Sequence, residues 1–68
     1  MSGTARLRLL ALVARHYLRR GFCYEQVRSI IWCRNDVLGC DAQSVGEVCR
    51  QSLIENNAEQ DRQRRAGR

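Results

Sequence analysis

The stretch TARLRLLALVARHYLRRG, residues 4–21, decides how the chain folds. At about 100° per residue, Leu7, Leu10, Ala11, Ala14, Tyr17 and Leu18 gather on one side of a helix. Arg8, Arg15 and Arg19 form a separate stripe on the same helix. Thr4 suits an N-cap, where a hydroxyl accepts from a free backbone amide. Gly21 stands where the left-handed C′ residue belongs, just after an Arg19-Arg20 pair that complements the negative end of a helix dipole. The segment therefore predicts a helix from Thr4 to Arg20. Leu9, Leu12 and Val13 lie off the main apolar face, and a helix this widely apolar packs against more than one neighbour.

Downstream, a second helix is predicted from about Tyr24 to Arg34. Val27, Ile30 and Ile31 give its inner face, and Phe22 is placed to staple its start. Trp32 points a right angle or more away from that face. It reads either as a contact residue, because tryptophan concentrates in binding hot spots, or as a lid on the edge of a small core. Asn35, Asp36, Gly39 and Asp41 predict a turn of several residues. A third helix begins near Asp41 or Ser44, where Ser44-Val45-Gly46-Glu47 has the form of a capping box. Its inner face is Val45, Val48, Cys49, Ser52 and Leu53. After Ile54 the apolar signal stops, and residues 56–68 read as a polar basic tail, helical in part or disordered. The fold class is all-α: a three-helix bundle over residues 1–55 with a polar, frayed tail over 56–68.

The 68 residues leave room for one modest core, and a chain this short buries only about 60% of its unfolded surface. There is no proline, which with few glycines disfavours strands bounded by turn clusters. The net charge of +5 comes from arginine alone, a residue suited to bidentate contacts with phosphate or carboxylate. A GC-rich coding sequence accounts for the missing lysine equally well. Residues 1–24 carry five arginines and no acid, residues 25–55 five acids against three arginines, and residues 56–68 four arginines against Glu59 and Asp61. That asymmetry points to an acidic partner surface, nucleic acid or a membrane face.

Cys23, Cys33, Cys40 and Cys49 are ten, seven and nine positions apart. A structural zinc site needs ligand pairs two to four residues apart, so no metal is expected and the cysteines read as structural. No secretory signal precedes them, and the longest apolar run is far below the roughly 20 residues that span a bilayer. The expected compartment is cytoplasmic, with reduced thiols. An acid-free, arginine-rich amphipathic N-terminus also has the pattern of a mitochondrial presequence, although its removal would leave only about 45 residues. One histidine, few acids and no glycine-rich phosphate loop leave nothing for a nucleophile–base pair, so no enzyme, cofactor or small-molecule substrate is expected.

The run Tyr17-Leu18-Arg19-Arg20-Gly21-Phe22-Cys23-Tyr24-Glu25-Gln26-Val27-Arg28, within residues 17–32, resembles a segment of the three-helix repeat in RecX regulators. In that family a helix ends in Arg-Arg-Gly-Phe and the next begins with Tyr-Glu. The resemblance implies a helical unit that restrains a larger nucleic-acid-handling assembly by binding it. It covers about a quarter of the chain, which has room for one such unit and a third helix without a match.

The leading expectation is a small non-enzymatic regulator or inhibitor that docks on a larger protein, of the kind phages and mobile elements use, with a nucleic-acid-processing complex as one target class. Its contact residues are expected among Arg8, Leu12, Arg15, Arg19 and Trp32, and a core this small favours a homodimer. The alternative is a DNA-binding module of helix-turn-helix type. Against it stand a link from Arg34 to Ser44 longer than the usual turn and the acids Asp36, Asp41 and Glu47 around the recognition helix. The third reading is an amphipathic helix lying on a membrane surface.

Overall fold

The computed structural model describes residues 3–67. Met1, Ser2 and Arg68, the ends of the expected domain and tail, lie outside the described residues. The chain forms three α-helices: α1 (Gly3–Arg19), α2 (Tyr24–Leu38) and α3 (Ala42–Ala66). It is the all-α three-helix bundle that the periodicity predicts. Thr4 lies inside the first turn of α1 rather than capping it.

The end of α1 follows from its sequence almost atom by atom. Gly21 takes φ +95°, a left-handed conformation that only glycine adopts without strain. There its amide donates to the Leu18 carbonyl (3.1 Å), and the Phe22 amide donates to Tyr17 (3.2 Å). This pair of bonds is the Schellman arrangement, which satisfies carbonyls that a helix end otherwise leaves free. The Phe22 ring packs edge-on against Tyr17 at 5.1 Å between centroids, the apolar contact that accompanies such a stop. Phe22 thus closes α1. At the start of α2 the Gln26 side chain accepts from the Cys23 amide at 3.1 Å.

The second link differs from expectation. Helix α2 continues one turn beyond Arg34, and only Gly39, Cys40 and Asp41 separate it from α3. Gly39 is left-handed (φ +73°), and its amide donates to Asn35 at 2.7 Å. The buried Asn35 side chain clamps the link: Nδ2 donates to the Cys40 carbonyl (2.9 Å) and Oδ1 accepts from the Cys40 amide (2.8 Å). An asparagine that reads locally as a turn former is here a buried helical residue holding the turn after it. Asp41 is the N-cap of α3, accepting from the Ser44 amide at 3.0 Å, so Ser44 is the recipient of the cap rather than its source. That hydrogen bond also holds the Asp41 carboxyl below its ordinary pKa.

The core is small: Leu10, Ala14 and Leu18 from α1, Val27 and Ile31 from α2, Val45 and Cys49 from α3. Burial pushes the Cys49 thiol pKa up, opposed by the Arg28 charge, so it sits in the core as a neutral, apolar side chain. Helix α3 runs on to Ala66, through most of the segment expected as a polar tail. Val45, Cys49, Ser52, Asn56 and Glu59 alternate four and three apart, a heptad spacing that keeps one stripe of α3 facing its neighbours. The stripe changes from apolar to polar along its length without leaving the interface: Ser52 and Asn56 are buried and Glu59 half-buried. Beyond it, residues 60–67 are exposed throughout.

Candidate functional site

Two arginines of the α1 stripe are committed inside the molecule. Arg15 donates to Glu55 (Nη1 to Oε2, 2.8 Å) and through Nη2 to Glu59, while Arg19 Nη2 reaches the same Glu59 oxygen at 3.2 Å. These contacts join the C-terminal half of α1 to α3. Arg19, with Arg15 behind it, holds the Glu59 carboxyl below its ordinary range, against an opposing effect of burial. The four charges cancel locally. A stripe of five helical residues from Arg15 to Arg19 therefore offers far less positive field than the sequence implies.

A third arginine works at the other end. Arg6 donates to the Leu38 carbonyl at 3.0 Å, placing a cation on the C-terminal end of α2. Nothing in the local sequence around Arg6 announces this, since the contact spans 32 residues.

The exposed apolar residues of α1 lie on the face next to that arginine stripe. Leu9 (43% exposed) and Val37 (89%) border a groove between α1 and α2. Its floor is formed by Leu10, Val13 and Leu38, with Arg34 on the α2 side. A continuation along α1 passes Leu12, Val13, His16 and Tyr17, still beside Arg34. Leu9, Leu12, Val13 and His16 fall at the i, i+3, i+4, i+7 positions of one helix face, so the surplus apolar residues of α1 form a second stripe.

The five expected contact residues are thus divided. Leu12 lies in the groove face. Arg8, one turn before it, is exposed and has no ion-pair partner among the described residues. Arg15 and Arg19 belong to the cluster with Glu55 and Glu59. Trp32 is half-buried and packs on the core, on the side of α2 turned away from Arg34. That position agrees with the lid on a small core and leaves part of the ring in water. Val37 and Arg34, both on the groove, were not among the expected contact residues. Their only sequence signal is the extra helical turn of α2, which the Asn35-Asp36 pair masks.

The four cysteines are unpaired, with Cys23 and Cys33 exposed and Cys49 buried. Among the described residues no three His, Cys, Asp or Glu side chains come together as a metal site. No described helix is long and apolar enough to cross a membrane. The fold and this face define a small helical bundle with an open apolar groove between α1 and α2. No protein-family model, curated protein or solved structure matches the chain.

Proposed function

We propose that the chain is a non-catalytic regulator that acts by docking on a larger protein through its α1–α2 face. The observation that carries this reading is the exposure of Leu9 and Val37 around the α1–α2 groove and of Leu12 on the hollow adjoining it, three large aliphatic side chains left in water on a very small domain. A cytoplasmic location with reduced thiols goes with it. So does an inhibitor role of the phage or mobile-element type, as an analogy of size and composition. The RecX-like run supports it only weakly, because Arg-Arg-Gly-Phe already has a local task as the stop of α1.

One observation favours the helix-turn-helix reading. The link between α2 and α3 is three residues long and contains a glycine, which removes the objection from length. The charges still oppose it: Asp36, Asp41 and Glu47 are exposed at or near the start of α3, where phosphates would lie.

The test is a nuclease-treated pull-down from the native host with the wild-type chain and a Leu12→Ser/Val37→Ser variant. Both substitutions are at exposed positions and should leave the thermal midpoint unchanged. Docking requires a defined protein band that survives nuclease and is lost with the variant. Bands that vanish with nuclease, or that the variant retains, overturn the reading.

A further inference from the structure

The groove has a sign as well as a shape. Arg34 is the only Asp, Glu, Lys or Arg side chain among the residues that line it, and it has no ion-pair partner among the described residues. Helical geometry sets Arg8 beside Leu12 on the α3 side of the exposed stripe. Helix α1 contains no acid. Glu25 and Asp36 stand on the side of α2 away from Arg34. On α3, Glu55 and Glu59 are held by Arg15 and Arg19, and Asp61 pairs with Arg65. The groove therefore has an apolar floor with the unmatched Arg34 on its α2 side, and the unmatched Arg8 stands outside it beyond Leu12.

Resting on the docking reading above, we infer that its occupant is an acidic amphipathic helix of a partner protein. Apolar residues at i, i+4 and i+7 would fill the groove and carboxylates on its flanks would meet Arg34 and Arg8. The groove lies between two packed helices, so a third helix can seat there as α3 does on the other side. Leu9 to Tyr17 spans about 12 Å of helix, room for roughly two turns of a partner. Charge complementarity selects against a second copy: a two-fold contact sets each face against itself, so Arg34 and Arg8 would meet arginines with no acid on the face to offset them. It also selects against nucleic acid, since a phosphate backbone gains nothing from Leu9, Leu12 and Val37, and Arg15 and Arg19 are already engaged.

The probe is a displayed library of helical peptides with a fixed leucine seam at i, i+4 and i+7 and randomised flanks, selected against the intact chain. The binding surface is read from amide chemical-shift changes. Enrichment of Asp and Glu on the flanks is expected, with shifts at Leu12, Val13 and Val37. An Arg8→Glu/Arg34→Glu variant should weaken the selected peptide about tenfold or more and prefer its lysine-flanked counterpart. Selection of groove binders without acidic flanks would overturn the acidic partner while leaving the docking reading in place. Shifts confined to other surfaces, or no binders at all, would overturn both. Concentration-dependent shifts of the groove in the free chain would show that a second copy covers it.

Discussion

Gly21 and Gly39 hold the two left-handed positions among the described residues, at φ +95° and +73°. Space does not constrain either one, because a methyl group at each would meet nothing within 4 Å. The constraint is the backbone itself, so Gly21→Ala and Gly39→Ala should each lower stability by about 1–2 kcal/mol, read from chemical denaturation. An unchanged midpoint would remove this account of the links. Thiol labelling gives a second check at this scale: Cys23 and Cys33 should react first, and Cys49 only as the chain unfolds. Gly21 was legible in the sequence because the signals for a helix end are local. Asn35 and Arg6 were not, because the identity of their partners depends on where the chain returns.

The C-terminal half of α3 is held to α1 by polar groups. Asn56 is buried with its Oδ1 unpartnered, and Arg15 Nε is buried and unpartnered as well, so the interface is stitched by the outer guanidinium nitrogens. The Glu59 pKa is depressed in the fold, so its pairing stabilises fully above the ordinary value of 4.5 and is lost as pH falls through the lower folded value. Protection of the amides of residues 55–60, taken relative to the intrinsic exchange rate at each pH, should therefore fall in acid well before the core opens. Glu59→Gln should reproduce that loss of protection near neutral pH, and equal protection in both proteins would remove the ion cluster from the account. Residues 60–66 should exchange fast under all conditions. The length of α3 was hidden in the sequence because an apolar pattern stops at Ile54, whereas the heptad positions continue with asparagine and glutamate. The same cluster changes how an arginine scan must be interpreted: Arg15→Ala and Arg19→Ala loosen α3 and cannot report on a partner alone.

Seven buried apolar residues make the core among the described residues. The radius of gyration is 12.7 Å, against about 10.9 Å for a compact chain of this length. Accessible surface is 5071 Å2, above the roughly 4,400 Å2 typical of a monomer of this mass. Part of the excess is the overhanging end of α3 and part is the open α1–α2 face. Leu10→Ala should cost about 2–5 kcal/mol, enough to unfold a domain whose total stability is of the same order. A cooperative transition surviving that substitution at physiological temperature would show a larger reserve than this core provides. The bundle itself was legible from three apolar periodicities. The separation of its arginines into an internal cluster and a groove rim was not, since it required knowing which side of α1 meets α3.

The most direct measurement is site-specific photo-cross-linking in the native host, with the reactive residue at Val37 in one chain and at Ile54 in another. Both positions are highly exposed, at 89% and 60%, but Ile54 lies on the outer surface of α3, away from the groove. Docking through the α1–α2 face gives a discrete, nuclease-resistant protein adduct from position 37 and none of the same size from position 54. Equal adducts from both positions, adducts to nucleic acid alone, or none from position 37 would contradict it.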